Sequence, residues 1–301
     1  MTQIYEHINE LPTGHAKNIL TAGCMVLEGG AFRGLYSQGA LDYLMEHDVN
    51  MQTTIGVSAG AMGGVNYVSG QIGRSVRINL LYRHDSNYIG TGAMKQDHGI
   101  TGFSYLWNTI SDEYPLDEKT FYDPGRRFIA VATDIETGKP EFFEKGKTED
   151  IIRAVSASAT IPYVSQPVEI NGRKYLDGGC SVKIPYRWAM EQGFEKIIVI
   201  RTRDRSYRKS VSKTPRDLIR REYAKYPELV HDLLEEAPRY NIELNNLDAL
   251  EESGRLFVLT PSRPITISRF EGDVNALADV YHLGYQDMKD HFEELQEYLK
   301  K

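Results

Sequence analysis

The sequence predicts an α/β fold: a mostly parallel central sheet flanked by helices, with a helical elaboration at its C-terminal end. Three observations carry this expectation. Short apolar runs alternate with stretches of helical periodicity. The first two of these runs each pass through a glycine-rich turn straight into a helical stretch. The later runs are rich in β-branched residues and are bounded by turn signals.

The elements follow in order. Residues 22–27 form a short apolar run that reads as a buried strand, ending in Glu28-Gly29-Gly30-Ala31-Phe32-Arg33-Gly34. Leu35, Leu41, Leu44 and Met45 then recur at helical spacing up to His47. Residues 52–57 read as a second strand, entering Ser58-Ala59-Gly60-Ala61-Met62 at the start of a small-residue helix. Residues 74–122 are irregular, aromatic and Gly-rich, and predict short helices and loops. Residues 127–133 predict a third strand, paired with 140–144 across Thr137-Gly138. A helix is expected over 149–157 with Thr148 as its N-cap. Residues 168–176 read as a hairpin, because Asn171-Gly172 is a strong two-residue turn signal. Residues 196–201 and 256–259 predict further strands, while 215–254 and 273–301 predict helix. The expected organisation is one domain: a core over residues 20–205 and a helical region over 206–301, packed on the core and contributing at least one strand.

Composition narrows the function. Hydrophobic residues make up 41% and aromatics 10%, enough to offset the entropy of ordering, so disorder is excluded as the dominant state. Cys24 and Cys180 cannot staple 301 residues. The formal charge of −7 argues against a general nucleic-acid binder. The first twenty residues carry no apolar core of a secretory signal. No stretch approaches about 18 uncharged apolar residues, the length of a transmembrane helix. A reduced, cytoplasmic protein is the expectation. No Cys/His/carboxylate cluster has metal-ligand spacing, so neither a metal nor a cofactor is expected.

Three constellations carry chemistry. Gly56-Val57-Ser58-Ala59-Gly60, between a strand and a helix, is the pattern of a nucleophile elbow. The serine occupies a sharp turn, and a side chain at either flanking glycine would collide with a neighbouring element. Gly29-Gly30-Ala31-Phe32-Arg33-Gly34 leaves backbone N–H groups unshielded ahead of a helix start, fit for an anion or an oxyanion. Its spacing is G-G-x-x-x-G rather than G-x-G-x-x-G, which disfavours a nucleotide. Asp177-Gly178-Gly179 closes the hairpin on a tight loop expected to be exposed. A serine hydroxyl is a weak nucleophile and needs a base.

Together these motifs resemble the patatin-like phospholipase family, bacterial branch, across residues 27–179. The resemblance implies a Ser–Asp dyad without histidine, with Ser58 as nucleophile and Asp177 as base. It implies an oxyanion hole from Gly29, Gly30, Ala31, Arg33 and Gly34. The family often has glycine where this chain has Ala31. The substrate it implies is a lipid or lysophospholipid ester. No family motif follows residue 206.

Alternatives attach to the same residues. A Ser-His-Asp triad is permitted by chain order, through Ser58, Asp177 and His282 or His291, but both histidines fall in a predicted amphipathic helix. A catalytically idle protein that binds lipid or a partner would keep the Gly loop yet turn over no ester. Arg33 either binds a lipid phosphate or ties its loop down through carboxylates, the second being favoured. Cys180 reads as a small buried residue. The aromatic segment 82–107 reads as either a wall for an acyl chain or ordinary core. Residues 201–225 carry ten Lys or Arg against Asp204, Asp217 and Glu222, a basic run that suits peripheral contact with an anionic membrane or a solvated helix face.

Overall fold

The computed structural model describes residues 4–211 and 214–301. Its core is an eight-stranded mixed sheet between two helical layers. The strands are β1 (Thr21–Leu27), β2 (Met51–Val57), β3 (Arg127–Asp134), β4 (Pro140–Glu144), β5 (Val168–Ile170), β6 (Arg173–Asp177), β7 (Ile197–Ile200) and β8 (Phe257–Leu259). They run in the order β8-β7-β1-β2-β3-β6-β5, with β4 also paired to β3. β8, β7, β1, β2 and β3 are parallel, whereas β4, β6 and β5 add antiparallel pairings.

Successive residues of the central strands face opposite layers, which is why these strands are apolar throughout. Met25 and Leu27 of β1 join the core under α1 (Gly34–Glu46) and the C-terminal helix Val274–Asp290. Cys24 and Val26 join the core on the other face, under the helix Glu236–Glu252. The last hundred residues therefore cover both faces of the β8 end of the sheet and supply β8 itself. Contact between α1 and Val274–Asp290 is backbone to backbone: a Cβ on Gly39 would lie 2.0 Å from the Tyr281 carbonyl oxygen, and one on Gly284 1.9 Å from that of Tyr36.

The hairpin turn holds Asn171 at φ 51° and Gly172 at φ 76°, the left-handed pair that a type I′ turn demands. Two expectations need correction. The helix expected from residue 149 is Ile151–Ser158, and its cap is Asp150, whose carboxylate accepts the Arg153 amide at 2.8 Å. Thr148 instead closes the preceding turn, its amide donating to Glu144 at 2.8 Å. The helical stretch 215–254 divides into Arg216–Glu222, Pro227–Leu234 and Glu236–Glu252. Pro227 and Pro238 each sit in a first helical turn, where a missing N–H costs nothing, and neither can extend the helix before it.

Candidate active site

Ser58 lies between β2 and α2 (Ala59–Val68) at φ 81° and ψ −119°, a region that costs a non-glycine residue about 1–3 kcal/mol. The flanking glycines make this turn possible through space. A Cβ on Gly56 would meet the Gly60 carbonyl carbon at 2.5 Å, and one on Gly60 the Leu27 oxygen at 2.5 Å. The elbow is braced from the helix Ile151–Ser158. The Ser158 hydroxyl accepts the Ser58 amide at 2.9 Å and donates to the Val131 carbonyl at 2.6 Å. Nothing in the run Val155-Ser156-Ala157-Ser158 marks that role, because small residues on a helix are more often packing.

The Ser58 hydroxyl donates to Asp177 Oδ2 at 2.6 Å across 119 positions of sequence. Strand pairing explains the meeting. Val131 of β3 pairs with Val57 on one edge and Phe142 on the other. The next residue, Ala132, pairs with Asp177 and Glu141. β6 thus takes over the edge of β3 where β2 leaves it, and brings the residue after Val57 against Asp177. Gly178 is required here: a Cβ would lie 2.2 Å from the Val131 oxygen. The Asp177 loop is not the exposed turn expected; Gly178 and Cys180 are buried. Thr133 Oγ1 donates to the Asp177 carbonyl at 2.9 Å, and the Asp177 amide donates to Thr160 at 2.8 Å.

Asp177 Oδ1 accepts the Gly179 amide at 2.7 Å. Burial pushes the Asp177 carboxyl above the usual carboxylate range. The hydrogen bonds from Ser58 and Gly179 and the charges of Lys183 and Arg269 oppose that push without cancelling it. The result is a carboxylate more basic than a solvated one. His282 instead contacts the Tyr5 hydroxyl at 3.1 Å, and His291 its own helix at the Asp287 carbonyl. No histidine lines either cavity that opens on Ser58, so the triad alternative finds no third member there.

The glycine loop lies beside the elbow, with a Cβ on Gly29 only 2.8 Å from the Ser58 Cβ. The Arg33 amide donates to the Gly30 carbonyl, and the Gly34 amide to those of Ala31 and Phe32. Those two N–H groups are occupied inside the turn. The amides of Gly29, Gly30 and Ala31 have no hydrogen-bond partner among the described residues. Ala31 is held at φ 49°, left-handed, which costs an L-residue about 1–2 kcal/mol. Thr202 pins the loop through Gly29, its Oγ1 donating to the Gly29 carbonyl at 2.8 Å. Buried Glu28 accepts the Thr202 amide at 2.6 Å and the Tyr240 hydroxyl, tying the loop to the helix Glu236–Glu252.

A sequence profile of the patatin-like phospholipases matches residues 25–190, more than half of the chain and all three motifs. The chain belongs to the patatin-like phospholipase family. A second profile, a domain of unknown function (DUF6363), matches residues 226–300, the helices around β8. Among curated relatives, the uncharacterized protein YjjU of Escherichia coli is 30% identical over 185 residues, covering 59% of this chain and 51% of that one. The probable lipid hydrolase 463L of Invertebrate iridescent virus 6 is 25% identical over 210 residues, covering 62% and 72%. The lysophospholipase NTE1 of Cryptococcus neoformans is 28% identical over 195 residues, covering 58% of this chain and 11% of that one. The matched region spans about half the length of YjjU.

Two cavities flank Ser58 of this patatin-type site. One, of about 80 Å³, is largely apolar, with Phe32, Met62, Ile78, Leu106 and Trp107 in its wall. The aromatic middle segment therefore builds part of a cavity at Ser58. The other, of about 480 Å³, is polar, with Lys183, Lys209, Arg203, Arg269 and Arg33 in its wall. Arg33 makes no ion pair among the described residues, so the favoured carboxylate tie is absent. Cys180 is buried and free, as expected for a packing residue. Part of the basic run is paired with carboxylates: buried Arg201 and exposed Arg205 and Arg208 all reach Asp248, and Lys209 reaches Glu236. Lys213 of that run lies outside the described residues. No described helix is long and apolar enough to cross a membrane, and no described cluster of His, Cys and carboxylates could hold a metal ion.

Proposed function

We propose that this protein is a serine acyl hydrolase of lipid carboxylic esters that works through a Ser58–Asp177 dyad. The observation that carries the reading is the 2.6 Å hydrogen bond from Ser58 Oγ to a carboxylate whose basicity burial has raised. Asp177 Oδ2 takes the Ser58 proton as Oγ bonds to the ester carbonyl carbon. The carbonyl electron pair moves onto oxygen, where the unpartnered amides of Gly29, Gly30 and Ala31 receive it. One such donor is worth about 3 kcal/mol in other acyl-transfer enzymes. Collapse re-forms the carbonyl and expels the alcohol, which takes the proton from Asp177. Water then adds to the acyl carbon as Asp177 takes its proton. Ser58 leaves with that proton, and the fatty acid is released.

The apolar cavity suits an acyl chain and the polar one the alcohol moiety. The family match and the lipid hydrolase and lysophospholipase names of two relatives support a lipid ester as the substrate class. A fluorophosphonate probe tests the reading. Wild-type protein is expected to be labelled and Ser58→Ala to be unlabelled. An unlabelled wild type would mean a lipid- or partner-binding protein with an idle site.

A further inference from the structure

We propose that Arg33, Arg203 and Arg269 form an anion subsite beside Ser58 that selects esters whose leaving alcohol carries a phosphate monoester. The proposal rests on the hydrolase reading for its assignment of the polar chamber to the alcohol side.

All three guanidinium groups belong to residues in the wall of that chamber. Arg33 sits in the glycine loop, with its Nε buried and without a partner. Arg203 follows Thr202, the residue that pins that loop. Among the described residues its guanidinium makes one hydrogen bond, a long one of 3.4 Å to the Ile265 carbonyl, and lies 4.3 Å from the centre of the Tyr207 ring. Arg269 lines both cavities and makes no hydrogen bond or ion pair among the described residues. Arg203 and Arg269 each lie close enough to Arg33 to repel it. The Arg33 guanidinium is drawn down to about 10, by burial first and then by Arg203 and Arg269, with Glu28 opposing.

Each carboxylate among the described residues of the chamber wall already holds other partners. Glu28 already accepts from Thr202 and Tyr240. Glu236 holds Lys183 at 2.5 Å and Lys209 at 3.1 Å. Asp177 holds Ser58 and Gly179. A concave site with three guanidinium forks that hold no ion pair among the described residues calls for a compact, multiply charged oxyanion. The same accounting disfavours a zwitterionic headgroup, whose cation would find no unoccupied carboxylate, and the Tyr207 face is already covered by Arg203. A phosphate monoester on a short alcohol, as in an acylglycerol phosphate, meets both conditions.

The test compares 1-acylglycerol 3-phosphate, 1-acylglycerol and 1-acylglycerophosphocholine with one acyl chain, on wild type, Arg203→Gln and Arg269→Gln. The wild-type ratio of kcat/KM for the phosphate monoester over the neutral glyceride is expected to exceed about tenfold, and each variant is expected to lower that ratio about tenfold. Titration calorimetry adds a readout that needs no turnover. Glycerol 3-phosphate is expected to bind wild type at least about tenfold more tightly than inorganic phosphate or glycerol, and to lose that binding in both variants. Equal rates on all three esters, or glycerol 3-phosphate no tighter than inorganic phosphate, would overturn the subsite. Fluorophosphonate labelling separates the two readings. A labelled protein that ignores glycerol 3-phosphate keeps the hydrolase and loses the subsite. An unlabelled protein that binds it tightly loses the hydrolase and keeps the anion site.

Discussion

The Ser158 hydroxyl holds the Ser58 amide at 2.9 Å and is itself anchored on the Val131 carbonyl, so the Ser58 backbone hangs from the same strand that positions Asp177. Replacing Ser158 by alanine leaves the buried Ser58 N–H without an acceptor. The expected cost is about 1–3 kcal/mol of stability. The strained elbow relaxes, so kcat and the rate of fluorophosphonate labelling are expected to fall together, with KM little changed. Thermal unfolding and single-turnover labelling check both halves. Unchanged labelling would remove Ser158 from the positioning of Ser58.

Asp177 is expected to set the pH profile. Its carboxyl is raised above the ordinary 3.8. The base is lost as pH falls through that raised value, so kcat/KM is expected to show one acid limb centred above 3.8. Single His→Ala variants are expected to keep this limb, and Asp177→Asn to abolish turnover. A stability effect runs the other way. A raised carboxyl contributes stability that is present below its unfolded value and lost as pH rises through the folded one. Asp177→Asn should therefore melt higher than wild type at neutral pH, and the gain should vanish at acid pH.

Asp42 gives a second titration, remote from the chemistry. Burial raises its carboxyl to about 7, against hydrogen bonds from Tyr281 and Gly73 that lower it. Its Oδ2 accepts the Tyr281 hydroxyl at 2.8 Å at the contact of α1 with Val274–Asp290. Stability contributed here is present at acid pH and lost as pH rises through about 7. The melting temperature is expected to fall across that window in wild type and to stay flatter in Asp42→Asn. Equal slopes for the two proteins would remove Asp42 as the cause.

The apolar cavity is expected to set acyl length. Met62 stands one helical turn beyond Ser58 and lines that cavity. Met62→Trp fills it, so kcat/KM on long-chain esters is expected to fall about tenfold more than on short-chain esters, since each CH2 kept out of the cavity forfeits about 0.8 kcal/mol. A chromogenic ester series on both proteins measures the ratio. A uniform loss at all lengths would place the acyl chain elsewhere.

Tyr240 links the C-terminal helices to the glycine loop through buried Glu28. Tyr240→Phe removes one of the donors that hold this carboxylate. The expected loss is about 1.5–3 kcal/mol, the range for hydrogen bonds to charged groups. Chemical denaturation measures it. A neutral result would mean that the C-terminal region does not support the loop through this contact.

The sequence by itself determined the sheet's central strands, both glycine-rich turns and the I′ hairpin, because each is specified by a few adjacent residues. Gly56 and Gly60 mark a local steric need, and Asn171-Gly172 a local dihedral one. It also misled locally: Thr148 has the chemistry of a cap, yet the turn after β4 claims it, and Asp150 caps instead. Contacts between distant segments were left to the tertiary structure. Only the change of partner along β3, from Val57 at Val131 to Asp177 at Ala132, brings the Ser58 hydroxyl and the Asp177 carboxylate together. Ser158, Thr202 and Arg269 carry no signal in their own neighbourhoods, and the glycine loop around Arg33 and the basic run around Arg203 do not show that the three arginines share one chamber. A brace or a charge cluster is a property of which surfaces the fold presses together, and burial then decides how strongly each group acts.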